Sequence, residues 1–165
     1  GDLHHKDVLE KICKLIGKKP KQVNLSILCP DLSNLSEYTA QINNSTYKLM
    51  KRLLPGPFTF ILKASTNVPR IFRQNKKTIG IRVPDNAITQ AVIEALGHPI
   101  VSTSIHAEDE IQGYLTEPEE IYERWMNKVN IIVDGGAGSN TGTTVIDASS
   151  NELSIVREGL GIELV

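Results

Sequence analysis

Apolar residues along the chain follow two spacings, which predict helices and strands. Apolar residues three or four positions apart mark one face of a helix. Such faces predict helices over 7–16, from Ser45 to the residue before Pro55, over 88–96, and from Thr116 onward. Ser45 is expected to cap the second helix, and Thr116 with Glu119 to form a capping box for the fourth. Buried helical faces are expected at Leu49, Met50 and Leu53, at Ile88, Val92 and Leu96, and at Ile121, Trp125 and Val129.

Short apolar or alternating runs bounded by Gly, Pro and Ser predict the strands. They fall at 25–28, 58–62, 78–83, 100–104, 131–134, 143–147 and 153–156. Strands alternate with helices through much of the chain, whereas the last stretch is strand after strand. This order predicts a mixed sheet with helices packed on it. Because no repeat, low-complexity tract or linker interrupts the pattern, one domain over 1–165 is expected.

The charge balance excludes recognition of nucleic acid through net positive charge and leaves local anion sites open. The chain has 165 residues, with 18 Lys and Arg against 19 Asp and Glu, so its net charge is −1. A bulk electrostatic attraction to nucleic acid is therefore absent, and any anion site must come from local clustering. No apolar run approaches the ~20 residues of a membrane span. The two cysteines, Cys13 and Cys29, are expected to be buried and reduced, which suits the cytoplasm.

Hydroxyl and guanidinium groups stand where predicted strands end. Ser102 and Ser104 close an apolar strand, and ligands of open α/β sheets bind beyond the carboxyl ends of strands. Their hydroxyls therefore either bind a phosphate or ribose or are solvated at the strand end. Arg82 alternates with Ile81 and Val83, so it faces away from the core or pairs with an anion. Arg157 ends the last strand as either an anion ligand or a surface ion-pair partner.

The sequence leaves the role of one glycine-rich loop open, and its histidines do not predict a metal site. The loop 134–142 is rich in glycine, so it is either a phosphate cradle or a flexible turn between strands. Its spacing matches neither the Rossmann nor the Walker motif. The four histidines have no metal-ligand spacing, and a metal site is not expected from the sequence. They are His4, His5, His98 and His106.

Seven segments together resemble the YrdC/YciO family of threonylcarbamoyl-AMP synthases. They lie in the family's order at 25–28, 55–62, 79–84, 99–104, 134–136, 143–147 and 156–159. The combination of Pro-Gly-Pro-Phe-Thr at 55–59 with Gly-Ile-Arg-Val-Pro at 80–84 is specific. The resemblance covers nearly the whole chain. It implies an α/β fold with a twisted, open, mixed sheet, flanking helices and a basic concave surface.

The resemblance also implies ligands and residue roles. Family members make threonylcarbamoyl-AMP from L-threonine, bicarbonate and ATP with Mg²⁺, for a modification of tRNA, and have also been described as binding double-stranded RNA. By motif, Arg82 and Thr143 would bind threonine. The residues expected at the nucleotide are Lys19, Ser102, Ser104, His106 and Arg157.

Three departures from the family pattern shape the functional expectation. The family's entry motif, Pro-Thr-Asp-Thr-aliphatic-Tyr-Gly, does not precede the first helix, so the family's first strand is expected to be missing. Its Lys-x-Arg and Ser-x-Asn motifs read 17–19 Gly-Lys-Lys and 104–106 Ser-Ile-His here. These changes resemble the YciO branch. They predict a poor or inactive synthase that retains nucleotide affinity; the alternatives are a double-stranded RNA or tRNA module and a vestigial anion-binding domain.

Overall fold

The computed structural model describes residues 1–5, 7–69, 77–106 and 114–165, which form two compact units. The first unit comprises 1–103 and 143–165, and the second comprises 104–142. A single domain over 1–165 stays a prediction. Within the described residues, no helix is both long and apolar enough to cross a membrane.

Four α-helices and six strands lie among the described residues of the first unit. Its helices are α1 (Val8–Ile16), α2 (Leu35–Tyr38), α3 (Asn44–Leu53) and α4 (Ala87–Leu96), with short 3₁₀ helices at Pro20–Gln22 and Ile162–Leu164. Its strands are β1 (Ser26–Leu28), β2 (Phe58–Lys63), β3 (Thr78–Arg82), β4 (Ile100–Ser102), β5 (Thr144–Asp147) and β6 (Ser154–Arg157). The second unit contributes α5 (Pro118–Trp125).

The strands form one mixed sheet, which confirms the predicted fold class. Their order is β4-β1-β3-β2-β5-β6. The pairs β1–β3 and β2–β5 are parallel, and the other three pairs are antiparallel. The strand-after-strand ending of the sequence corresponds to the antiparallel β5–β6 pair.

One face of the sheet forms the core. Ile27, Ile81, Phe60 and Ile146 are paired across β1, β3, β2 and β5, and each is 0% exposed. Because directly paired residues project to the same face, these side chains form one continuous apolar row. Buried residues of α1 and α3 join the same cluster, so helices cover this face. The opposite face of the sheet is therefore the one that can carry polar chemistry.

Helix starts differ from the sequence predictions at two places. Asn43, not Ser45, caps α3, and its side chain accepts a hydrogen bond from the amide of Thr46 at 2.8 Å. The N-cap of α5 is Glu117, so the predicted Thr116–Glu119 capping box is wrong. In both cases several neighbouring polar residues suit the cap position, and local propensity alone does not choose among them. Pro118 occupies the first turn of α5.

The buried face of α4 is also different from the predicted one. Ile93 is 1% exposed, whereas Ile88, Val92 and Leu96 are 42%, 37% and 50% exposed. The helix is apolar on most of its circumference, so periodicity alone cannot select the buried stripe. The end of α4 is as predicted, because Gly97 adopts a left-handed conformation with φ 73°.

Two further predictions about buried segments are wrong. The predicted strand 131–134 has no regular secondary structure, and Ile131 and Val133 are 78% and 58% exposed. A short apolar run becomes a strand only where a partner strand pairs with it, and no described strand pairs with this one. The helix α5 ends at Trp125, and none of its residues is fully buried.

Candidate functional site

The polar face of the sheet gathers most of the predicted site residues of the first unit. Arg82 pairs with Leu28, and Arg157 pairs with Val145. Side chains alternate between faces along a strand, so both arginines lie on the face opposite Ile81 and Ile146. The same alternation places Thr59 of β2 and Ser102 of β4 on this polar face.

Arg82 ends β3 as a half-buried cation. Its Nε atom is buried and has no hydrogen-bond partner among the described residues. Burial lowers the pKa of Arg82, and the nearby guanidinium of Arg157 lowers it further. The strand register agrees with this proximity, because Arg82 lies beside Thr59, whose hydroxyl contacts the Thr143 hydroxyl that Arg157 binds. A half-buried cation whose Nε has no partner among the described residues is costly, so this position favours an anionic ligand.

Arg157 is held in place by the segment that precedes β5. Its Nε donates to the carbonyl oxygen of Thr143 at 2.9 Å, and its Nη2 donates to the Thr143 hydroxyl at 3.0 Å. The hydroxyl oxygen of Thr143 also lies 3.1 Å from that of Thr59, which is buried on β2. Two hydroxyls and two guanidiniums thus line one part of the polar face.

The two specific motifs of the sequence meet at this site. The amide of Gly56 donates to the carbonyl oxygen of Val83 at 3.0 Å. A Cβ atom at Gly56 would collide with the Leu53 carbonyl oxygen at the end of α3, so the turn that places this amide requires glycine. The contact sets the start of β2 beside the end of β3, which brings Thr59 next to Arg82.

Glycine also keeps the middle of the polar face open. A Cβ atom at Gly80 would lie 2.7 Å from the Oγ atom of Ser26 on the adjacent strand. The Oγ atom of Ser102 on the edge strand donates to the Ser26 carbonyl oxygen at 3.4 Å. Ser102 is therefore two strands away from β3, or about 10 Å across the sheet. The structure places Ser102 on the face of the arginines but not in contact with them.

Lys19 lies outside the sheet. It is exposed, directly before the 3₁₀ helix Pro20–Gln22, and its amide donates to Oε1 of Gln22 at 3.2 Å. Among the described residues, no contact joins Lys19 to Arg82 or Arg157. The basic concave surface and the place of Lys19 at the nucleotide stay predictions.

Ser104 and His106 belong to the second unit, and both are exposed. His106 forms a β-bridge with Tyr114, and the two rings stack with their centroids 4.8 Å apart. Their proposed nucleotide contacts stay a prediction, because they lie in a different unit from the two arginines.

The glycine-rich loop of the second unit uses its amides internally. The Gly136 amide donates to Oδ1 of Asp134 at 2.8 Å, and the Gly138 amide donates to the Thr116 carbonyl oxygen at 2.8 Å. A phosphate cradle needs such amides to point at the ligand. The structure therefore favours the interpretation of 134–142 as a turn.

Sequence reasoning did not identify Thr59, Ser26 or Gly80 as part of the polar face. The available signal was Thr59 itself, a polar residue between the buried Phe58 and Phe60 of a strand. Cys13 and Cys29 are both free and buried, as predicted. A cytoplasmic location stays a prediction.

Comparison with known proteins identifies the family and supports the fold. The family model Sua5_yciO_yrdC, described as "Telomere recombination", matches residues 1–159. The uncharacterized protein YciO of Escherichia coli K12 is 41% identical over 160 residues, which are 96% of this chain and 76% of the relative. The crystal structure of E. coli YciO superposes with a TM-score of 0.87 at 40% identity, covering 97% of this chain and 77% of the other.

Synthases are more distant relatives. The threonylcarbamoyl-AMP synthase of Bos taurus is 30% identical over 123 residues, which are 70% of this chain and 44% of the relative. The crystal structure of P. abyssi Sua5 complexed with L-threonine has a TM-score of 0.86 at 25% identity, covering 96% of this chain and 46% of the other. The chain is thus homologous to threonylcarbamoyl-AMP synthases, and it belongs to the Sua5/YciO/YrdC family.

Proposed function

We propose that this chain is a threonylcarbamoyl-AMP synthase-like protein that binds ATP and L-threonine on the polar face of its sheet. The observation that carries the proposal is the pair of guanidiniums on this face, Arg82 and Arg157, with the buried Nε of Arg82 left without a partner among the described residues. Each ligand carries an anionic group, the carboxylate of threonine or the phosphates of ATP, and guanidinium groups bind carboxylates and phosphates in bidentate geometry.

Each ligand has a proposed place. Arg82 binds the threonine carboxylate, with the Thr143 hydroxyl beside it. Threonine as the ligand is supported by the relative solved with L-threonine, P. abyssi Sua5. Arg157 and Ser102 of the first unit bind the nucleotide. The proposal also includes nucleotide contacts from Lys19, Ser104 and His106.

The proposed reaction needs positioned charges more than a nucleophilic side chain. The threonine amine attacks the carbon of bicarbonate, a C–O bond breaks, and water leaves, so that a carbamate forms. A carbamate oxygen then attacks the α-phosphate of ATP, and the bond from that phosphorus to the pyrophosphate oxygen breaks. Mg²⁺ arrives with ATP as part of the substrate. The arginines hold two anions together and stabilise charge on the transferring group, which are the effects that such a reaction requires.

Calorimetry with L-threonine and with Mg-ATP, in separate titrations, tests the binding proposal. We expect Arg82→Ala to weaken threonine binding and Arg157→Ala to weaken ATP binding, each by about 1.5–3 kcal/mol for a lost charge-assisted bond. The matched control is Arg52→Ala, because Arg52 lies on α3 and donates to the Leu164 carbonyl oxygen. Absence of binding for both ligands in the unmodified protein would contradict the proposal.

A pyrophosphate-release assay with threonine, bicarbonate and Mg-ATP tests the catalytic step. We expect release far slower than that of a YrdC synthase, because the changed motifs at 17–19 and 104–106 alter the groups predicted at the nucleotide. Release at a comparable rate that stops when threonine is omitted would contradict this expectation and assign full synthase chemistry to this chain. The alternative function, binding of double-stranded RNA or tRNA, uses the same arginines for backbone phosphates. It predicts an affinity that falls steeply with salt, whereas ATP held among fixed groups loses far less.

A further inference from the structure

The fold brings three metal-binding residue types together at the edge strand of the sheet. Asp2 forms a β-bridge with Ile100, the first residue of β4, so the segment before α1 runs beside this strand. Leu3 anchors that segment and is 3% exposed. His98 lies in the short connection between α4 and β4. The backbone therefore fixes Asp2 and His4 beside His98, although they are far apart in the sequence.

The three side chains are close enough to share one ion. The Nε2 atom of His98 lies 3.7 Å from Oδ2 of Asp2. The rings of His4 and His98 are 5.5 Å apart between centroids and nearly perpendicular at 84°. Ligand atoms of Asp2, His4 and His98 all lie within 4.8 Å of one another. Tetrahedral zinc with bonds of about 2.0–2.2 Å needs ligand atoms about 3.4 Å apart. Small side-chain rotations are sufficient to reach that spacing.

Neighbouring backbone groups already orient two of the three ligands. The Nδ1 atom of His98 lies 3.0 Å from the carbonyl oxygen of Pro99. A carbonyl only accepts, so Nδ1 carries the proton of neutral His98, and the lone pair is on Nε2, toward Asp2. The Oδ1 atom of Asp2 accepts a hydrogen bond from the His4 amide at 2.8 Å, which turns Oδ2 toward His98. Metal-ligating residues typically have such outer contacts.

We propose that Asp2, His4 and His98 form a binding site for one Zn²⁺ ion. Two imidazoles and one carboxylate are a donor set for first-row transition metals, whereas Mg²⁺ and Ca²⁺ prefer oxygen ligands. Three protein ligands leave a fourth position for water. The bound ion links the segment before α1 to the α4–β4 connection. Asp2 lies three strand positions from Arg82, or about 14 Å across the sheet.

A simpler arrangement uses the same residues without a metal. His5 lies 3.5 Å from Oδ2 of Asp2, so Asp2 can pair with protonated His5 and His98 alone. The two arrangements differ in the role of His5, which pairs with the carboxylate but is not part of the three-residue cluster. The substitution His5→Ala therefore distinguishes the two arrangements, because it removes a partner of the metal-free ion pairs but no proposed ligand of the zinc site.

Calorimetric titration of the tag-free protein with ZnCl₂ tests the proposal. We expect one ion per chain, and an affinity lowered at least about 100-fold by Asp2→Asn, His4→Ala or His98→Ala. Two matched histidine controls, His5→Ala and His106→Ala, are expected to retain the affinity. Zn²⁺ should also raise the thermal midpoint of the unmodified protein, because it binds the folded state, but not that of His98→Ala.

Folding of the variants is checked by circular dichroism and thermal unfolding in EDTA. His98→Asn provides a second variant, because its side-chain amide can still donate to the Pro99 carbonyl while Nε2 is lost. Failure of the unmodified protein to bind Zn²⁺, or full affinity in a folded His98→Asn variant, would overturn the proposal. Loss of binding in His5→Ala with retention in His98→Ala would also overturn it. Titrations with threonine and ATP in EDTA test the proposed function without Zn²⁺, so that failure of the zinc site and failure of the proposed function can be distinguished.

Discussion

Arg157 donates two hydrogen bonds to Thr143, one to its carbonyl oxygen at 2.9 Å and one to its hydroxyl at 3.0 Å. Arg157 is the last residue of β6, and Thr143 directly precedes β5, the strand that pairs with β6 in antiparallel orientation. The bidentate contact limits the rotation of a long side chain that is otherwise exposed. Thr143 therefore acts as a positioning residue for Arg157, in addition to its proposed contact with threonine.

The substitution Thr143→Val tests this positioning role. It removes the hydroxyl that contacts Arg157 and Thr59 while nearly preserving side-chain shape. We expect ATP binding to weaken by about 1 kcal/mol, or roughly fivefold in Kd, because one of two bonds to Arg157 is lost. Calorimetry with Mg-ATP measures the change. The matched control is Thr89→Val, whose hydroxyl bonds only Asn86 at the start of α4 among the contacts described. Equal ATP affinity in the Thr143 variant would assign no positioning role to the hydroxyl.

The substitution Arg82→Met separates ligand binding from folding. Arg82 has a buried Nε without a partner among the described residues. The pKa of Arg82 is lowered mainly by burial and further by the positive charge of Arg157. Removal of such a charge is expected to leave the free energy of unfolding unchanged or to raise it by roughly 1 kcal/mol. Threonine binding should be lost at the same time.

Thermal unfolding with and without L-threonine measures both effects for Arg82→Met. The ligand should raise the midpoint of the unmodified protein and not that of the variant. A variant that is less stable but still stabilised by threonine would show that Arg82 supports the fold rather than the ligand.

The sequence predicted the fold class because its strongest patterns correspond to buried strands. Phe58, Phe60 and Ile81 lie in runs whose composition allows little except a strand, and the structure places all of them in the core. The arginines were also identifiable, because a cation within an apolar strand must project from the opposite face. The proximity of the two arginines could not be predicted, because it depends on the order of strands in the sheet, which local patterns do not encode.

Other features depended on contacts between distant segments. Asp2 and His98 meet because the first residues run beside β4, and no spacing in the sequence indicates this. Ile131 and Val133 resemble a strand locally, yet no described strand pairs with them, and they remain exposed. A strand requires a partner, so a local apolar run overpredicts it. Local pattern is also insufficient for α4, because two of its faces are apolar and only one of them is buried.

The buried face of α4 can be measured with two alanine substitutions on the same helix. Ile93 is 1% exposed, whereas Val92 is 37% exposed. We expect Ile93→Ala to lower the free energy of unfolding by about 2–5 kcal/mol through loss of packing and creation of a cavity. Val92→Ala, the matched control, should change it by at most about 0.5 kcal/mol. Urea denaturation gives both values. The reverse ranking would restore the face predicted from periodicity.

The pH dependence of stability is expected to show the buried thiol of Cys29. Burial raises the pKa of Cys29 from 9.0 to about 12, and Asp31 adds to the shift in the same direction. The unfolded chain loses this proton above pH ~9, while the folded protein retains it, so the folded state binds more protons in this window. The contribution of Cys29 to stability is therefore fully present below pH ~9 and falls as the pH rises toward ~12, by about 1.4 kcal/mol per pH unit. Urea denaturation at several pH values should give a shallower decline for Cys29→Ala than for the unmodified protein. The control Cys13→Ala retains the Cys29 contribution, whereas parallel declines in the Cys29 variant and the unmodified protein would show that this thiol ionises equally in both states.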